Sequence, residues 1–426
     1  MNTGNALMII LSFVTFSFTE ETLTLKKVID LSIRQGIAPA SSQIQKEQKS
    51  LSVKDKRSAF YPELSTSLSS GANGALNSSQ WRSSVKASAG VSYSFNPSAD
   101  AAYKSSLAQE RAAQYQYDQS INKIAADAVT NYIKTLYAQK KIAVAKNNLD
   151  YQKTKLAQIE EYRNAGKKSI ADVLQQQTAV AEGEASMLDA EQEQGRAFLS
   201  LLNILGMNLD SSIQLDTGEL SELVPILTSA DTSFSIDSLP SILSQQFTIK
   251  SGELTLKENR LAYAPSINGS ASVGQSYSGI IGDDHDFSDP DGSVSISLTY
   301  PIFDRNKRKL NIASQILNIK SAVLSLREIE QDAAFEHKQS LYDLDNARKR
   351  LGVAETRLAA AKQSLDATTQ RYEAGASTLV EVAMVNNSYL SAVNSRLEAQ
   401  SSILTASIAL LQENGKIINF FDKIYK

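Results

Sequence analysis

Asp172 and Glu381 each stand six residues after a glycine, in two copies of one motif. Residues 162–174 read YRNAGKKSIADVL and residues 372–383 read YEAGASTLVEVA. The two acids are matched positions of a duplicated segment, and the rest of the chain offers little chemistry beside them. It has no Cys, which excludes a thiolate nucleophile, a thiolate metal site, a disulfide and a lipidated Cys. Its only imidazoles are His285 and His337, too far apart in sequence for a helical metal pair, and His337 occupies an ordinary helix position. The segment 283–291, DDHDFSDPD, offers oxygen ligands without the spacing of a calcium loop and reads as a solvated loop between strands. The remaining Asp and Glu are spread along helices in no catalytic setting. No nucleotide-binding loop is present, so neither catalysis nor a cofactor is expected, and energy must come from a partner.

The two motifs are bends. In each, a long helix-favouring run ends at Tyr, a Gly follows within four residues, and a second helical run begins at once. Gly ends a helix in the left-handed conformation at low steric cost, and Ser169 or Thr378 can then cap the next helix. Each is the tight turn of a helical hairpin. The incoming helix of the first runs from Pro97 to Ala165 without internal Pro or Gly, about 68 residues and roughly 100 Å long. Ile142, Ala145, Leu149, Gln152, Leu156 and Ile159 step three and four residues at a time, the spacing of a coiled-coil seam.

Between the helices the period changes to two. Trp81, Val85, Ala87, Ala89, Val91, Tyr93 and Phe95 alternate with Arg82, Ser84, Lys86, Ser88, Gly90, Ser92 and Ser94, a strand with one apolar face. Residues 62–70 alternate more weakly and pair with it across a Gly/Asn/Ser loop. Ile267, Gly269, Ala271, Val273 and Tyr277, then Val294, Ile296, Leu298, Tyr300 and Ile302, repeat the pattern. Pro39, Pro62, Pro97 and Gly166 recur as Pro240, Pro265, Pro301 and Gly375, a duplication at roughly 200 residues, too long for a solenoid unit. The resulting organisation is an export signal at 1–19, a first unit at 20–206, a connector at 207–238, a second unit at 239–415 and a tail at 416–426. Within the signal, the apolar run Ala6–Phe18 is too short to span a bilayer, and Thr15, Ser17 and Thr19 offer cleavage points, although no Lys or Arg precedes the run. In each unit a helix, broken in the first by Gly36 and Pro39, precedes the strand pair (about 62–96 and 265–302), and the helical hairpin follows (about 98–205 and 303–414). The two shorter helices of a unit together match the length of its long one and can flank it end to end.

Formal net charge is −3, so no basic footprint for nucleic acid exists. Abundant Ala suits thin helix seams. Strands of about 9–11 residues with one apolar face and aromatic residues near their ends, Tyr61, Trp81, Tyr93, Phe95, Tyr263, Tyr277, Tyr300 and Phe303, have the pattern of an outer-membrane barrel. Four strands cannot close one, and an open edge cannot lie in lipid. A membrane-spanning form is therefore an oligomer.

The double repeat, the strand entries "YPEL" and "YAPSI", the exits "SYSFNP" and "LTYPIFD", and the Tyr…Gly…(Ser/Thr)…(Asp/Glu)-Val bends resemble the TolC-type outer-membrane efflux proteins over about residues 22–414. The resemblance implies a mainly α fold with a β-barrel contribution: a homotrimer with a 12-stranded barrel, four strands per chain, in the outer membrane, and an α-barrel tunnel in the periplasm. It implies an exit duct of a tripartite efflux or type I secretion system, passively conducting small toxic molecules or polypeptides from an inner-membrane pump and its periplasmic adaptor. Ala165, Gly166 and Lys167, with Ala374, Gly375 and Ala376, would meet the adaptor. Glu381 would form an acidic ring at the closed end. Met384 stands where a second acid is usual, a departure from the doubled ring for which a hydrophobic constriction could substitute. Asp172 would bond across to the neighbouring bend and help hold the tunnel shut; the basic residue expected near Ser377 is missing, with Lys167 or Lys168 as stand-ins. The competing reading is a periplasmic coiled-coil scaffold or adaptor without a transmembrane channel, although adaptors carry one hairpin, not two.

Overall fold

The computed structural model describes residues 23–74, 81–209, 213, 215, 225, 227 and 234–424. The expected export signal and most of the connector lie outside them. Helices α1 (Leu25–Gln35) and α2 (Ile37–Ser58) are separated by Gly36 in extended backbone. Pro39, expected to help break this run, instead sits in the first turn of α2, where its missing N–H costs nothing. Strands β1 (Glu63–Asn73) and β2 (Arg82–Phe95) follow, then α3 (Ala99–Asn164, 66 residues) and α4 (Ile170–Leu205). The second unit repeats the order with α5 (Pro240–Leu261), β3 (Ser266–Ile280), β4 (His285–Phe287), β5 (Asp291–Thr299), α6 (Lys307–Glu373, 67 residues) and α7 (Leu379–Glu413). The expected tail folds as α8 (Ile417–Ile424).

Antiparallel pairing orders the four long strands β1-β2-β3-β5. Register puts like with like: Leu64, Val91, Ala271 and Val294 form one row, and Ser65, Gly90, Ser272 and Ser293 form the next. One face is therefore apolar. The other is hydroxyl-rich, with cross-strand bonds Ser67–Ser88 at 2.8 Å, Ser270–Ser295 at 2.7 Å and Ser272–Ser293 at 2.9 Å. The three-residue β4 was not anticipated. It folds part of the acidic loop back onto β3, held by Tyr277 packing against Phe287 at 4.7 Å. Among the described residues, β1 and β5 each pair on one side only.

Helix α3 is the spine. Toward the sheet it packs between α2 and α5, and toward the bends it packs between α4 and α7; α6 is flanked by α5 and then α7. The two shorter helices of each unit thus lie along its long helix, as their lengths suggest. In addition, α5 joins the two units. Small side chains let it approach α3 closely, with Ser105 Oγ 2.9 Å from Thr255 Oγ1 and 3.0 Å from Ser251 Oγ, and Ser244 Oγ donating to the Ala112 carbonyl. The main core lies midway along the helices. There Leu25 and Val28 of α1, Val129, Tyr132, Ile133 and Leu136 of α3, Leu201 and Leu205 of α4, Leu404 and Ile408 of α7, and Ile417 and Phe421 of α8 are buried together. The C-terminal segment is thus a core element; its apolar residues at three- and four-residue spacing explain why.

Candidate functional site

Both bends have the same construction. Gly166 and Gly375 adopt φ of +70° and +76°. In the first, Lys167 N donates to the Tyr162 carbonyl at 2.8 Å and Gly166 N to the Arg163 carbonyl at 2.9 Å; in the second, Ala376 N donates to Arg371 and Gly375 N to Tyr372. This pairing satisfies the last carbonyls of the long helices. Ser169 and Thr378 then start α4 and α7 with full capping boxes. Asp172 N donates to Ser169 Oγ at 3.2 Å while Asp172 Oδ2 accepts from Ser169 N at 2.9 Å. Glu381 N donates to Thr378 Oγ1 at 3.3 Å, and Glu381 Oε2 accepts from Thr378 N and from Ser377 Oγ. The acids stand at equal spacing because each is the third residue of a capped helix.

These contacts hold both carboxyls below their ordinary range. For Asp172 the causes are the backbone and side-chain hydrogen bonds from Ser169, with Lys168 nearby; for Glu381 they are the bonds from Ser377 and Thr378, with Arg371 nearby. Both acids are ionised at neutral pH. Asp172 spends its described hydrogen bonds on its own helix start. Of the two cations expected as stand-in partners, Lys167 is exposed and Lys168 lies 4.2 Å over the ring of Tyr372, with Lys155 at 5.5 Å from the same ring. This is a link from the first bend to the second. Beneath it, Ile159, Val173 and Leu379 are buried against Leu156 and Tyr372, so one apolar cluster draws on all four helix ends.

The bend residues Ala165, Gly166, Lys167, Ala374, Gly375 and Ala376 are all exposed, and a Cβ added at either Gly would meet nothing within 4 Å. Glu381 and Met384 are exposed together on the first turns of α7, with Met384 at 66% exposure and Val380 at 50%. The structure therefore brings the sequence-selected residues to one end of the helical layer.

Sequence reasoning missed a polar ladder one turn further from the bends. Gln176 Nε2 donates to the Gln152 carbonyl at 3.0 Å and to Gln152 Oε1 at 2.7 Å; Gln152 and Asn386 both donate to Asn148 Oδ1 at 3.2 Å. Higher still, Lys141 reaches Glu193 at 2.9 Å and Glu398 at 3.2 Å. Gln152 as a polar member of an apolar seam was the available signal. Also missed was a carboxyl pair, Glu336 of α6 and Glu413 of α7, at a cavity of about 490 Å³. Burial, and then the hydrogen bond that protonated Glu413 donates to Glu336, push the Glu413 carboxyl up to about 7.

Among the described residues no helix is long and apolar enough to cross a membrane, whereas the sheet carries a continuous apolar face. Several known proteins share this construction. The chain is 22% identical to the pyoverdine export outer membrane protein OpmQ of Pseudomonas aeruginosa over 315 residues, which is 74% of this chain and 66% of that protein, so it spans slightly under two thirds of its relative. The Campylobacter jejuni CmeC outer membrane channel superposes with a TM-score of 0.77 at 16% identity, covering 94% of this chain and 90% of that one. The outer membrane protein VceC of Vibrio cholerae gives 0.75 at 15% identity, covering 92% and 96%. A family description, outer membrane efflux protein, matches residues 37–207 and 235–416. With both repeats matched over most of its length, the chain belongs to the outer membrane efflux protein family.

Proposed function

We propose that three copies of this chain assemble into one exit duct, with a 12-stranded barrel in the outer membrane and a helical tunnel in the periplasm. The duct passively conducts small toxic molecules or polypeptides delivered by an inner-membrane pump through a periplasmic adaptor. One observation carries the assembly: the open edges of the single chain match one another. The edge helices α2 and α6 each carry an exposed heptad stripe, Ile37, Ile44 and Leu51 on one and Leu310, Leu317 and Leu324 on the other. Leu51, Ile44 and Ile37 lie 12, 19 and 26 residues before β1 starts at Glu63; Leu310, Leu317 and Leu324 lie 11, 18 and 25 after β5 ends at Thr299. The stripes therefore stand at closely matching residue offsets from the two edge strands. Packing α2 of one copy on α6 of the next buries both and brings β1 beside the neighbour's β5. A contact between two different surfaces of this kind closes into a ring, and three times four strands exceeds the minimum of eight for a barrel.

At the far end, Glu381 from each copy forms an anionic ring with Met384 beside it, attracting cations and repelling anions. The Lys168–Tyr372 contact holds the two bends of each copy together while Asp172 fixes the start of α4 beside it, and loosening them widens the opening. The exposed bends at 165–167 and 374–376 accept the helical tips of the adaptor, because Ala165, Gly166, Ala374, Gly375 and Ala376 leave little side-chain bulk and permit close helix approach.

The absence of cysteine makes the test direct. Ile44→Cys with Leu317→Cys should yield disulfide-linked species up to three chains on a non-reducing gel, and neither single variant should. Links ending at two chains, or none in an intact oligomer, would reject the arrangement.

A further inference from the structure

Along the four long strands the hydroxyl-rich face carries four charged side chains: Glu63, Arg82, Lys86 and Asp291. Asp286 of β4 joins the same face opposite Ser278. Two of these charges are brought together across a strand. Lys86 belongs to β2 and Asp291 to β5, with β3 between them, yet Lys86 Nζ lies 3.2 Å from Asp291 Oδ2. The crossing point is Gly274, paired with Ser88 on one side and Asp291 on the other. A Cβ there would stand 3.2 Å from Lys86 Cε, 3.0 Å from the Ala87 carbonyl oxygen and 3.1 Å from Ser88 Cβ. The strand omits a side chain at the place where the lysine stem lies across it.

Both partners are about half exposed, so the pair adds little to stability. Its consequence is electrostatic. Polar rows are spaced by about 7 Å along a strand, within a Debye length of about 8 Å, so each charge acts on the rows beside it. Neutralising Asp291 with Lys86 leaves a wall of hydroxyls with no net charge in its middle rows. We propose that Lys86, laid over Gly274 onto Asp291, is a charge-balancing strap that makes the middle rows of the barrel lumen indifferent to the sign of a solute's charge. Discrimination by charge then falls to the Glu381 ring at the other end. This rests on the barrel proposed above, whose apolar face meets lipid and whose hydroxyl face therefore lines the lumen.

The probe is a single thiol, Ser88→Cys, in the row of Asp291 and one row from Lys86. The purified oligomer in lipid nanodiscs is treated with a cationic and an anionic methanethiosulfonate reagent, and the ratio of the two rates is taken. Adding Lys86→Gln should raise the cation-to-anion ratio at least about threefold, the effect of one unit charge at this distance in water. Adding Asp291→Asn should lower it by as much, while Lys86→Gln with Asp291→Asn, or Lys86→Arg alone, should leave it near the starting value. A thiol at position 88 that reacts, but whose ratio ignores both single neutralisations, overturns the strap. Ala89→Cys on the apolar face separates the two ideas: if it reacts as fast as the Ser88→Cys variant, the assignment of the lumen fails first.

Discussion

Gly166 and Gly375 hold a conformation that other residues enter at a cost of about 1–2 kcal/mol, and nothing crowds them. Gly375→Ala should therefore lower the unfolding temperature through backbone strain alone, measurable by thermal unfolding of the solubilised protein. Thr378→Ala removes a cap and should cost about 1 kcal/mol. Glu381 completes the capping box and, in the proposed duct, supplies the ring charge, and one variant separates the two. Glu381→Gln keeps a side chain able to complete the capping box but removes the charge, so it should reduce cation preference in planar bilayers with only a small loss of thermal stability. Retained cation preference would take Glu381 out of the selectivity argument. At Glu413 the prediction concerns pH. Its folded carboxyl titrates near 7 against 4.5 for the free group, so the folded state binds the extra proton across that interval. The stabilisation is complete below about pH 4.5 and is lost as pH rises through 7. Around the pair stand Asp332 and Glu336 on α6 and Lys123 on α3, while burial keeps neighbouring His337 below its ordinary value. Glu413→Gln should flatten the decline in unfolding temperature between pH 5 and 8; an unaltered slope would show that another group is responsible.

The helices and strands show which features a linear chain exposes. Gly166 and Gly375 with the cap residues behind them marked both bends, because their conformational demands are local. Val85 to Phe95 marked β2 because alternation is local too. The seam Ile142 to Ile159 was legible for the same reason, and Gln152 and Ile159 in it are indeed buried. What could not be read depends on partners distant in sequence. Helix α5 packs on α3 of the other unit as well as on α6; Lys168 is drawn to Tyr372 across two hairpins; the segment after Lys416 is core because α1 and α3 wait to receive it. The short β4 escaped notice because three residues carry no period. The polar ladder yields an element-scale prediction. Gln176→Leu leaves the buried Gln152 carbonyl and side-chain oxygen without their donor and should cost about 1–3 kcal/mol, read as earlier unfolding. Loss well below that would mean that water replaces the donor freely.

For the whole molecule, a layer rich in Ala and Ser and only one helix pair thick has little interior of its own. Its largest exposed apolar groups collect on the sheet face and along the edge helices, at Leu64, Leu68, Val294, Ile296, Ile37, Leu310 and Leu317. Contiguous surfaces of this kind mark contacts with lipid or with other chains. In the duct proposed above those surfaces would be covered, and its two ends would differ in where fixed charge is balanced and where it is not. Copy number tests this most directly. Native mass spectrometry of the purified protein released from detergent should give three chains bound together and no stable free monomer. A single chain that remains folded and monodisperse in buffer without detergent would contradict the shared barrel and, with it, the conduit.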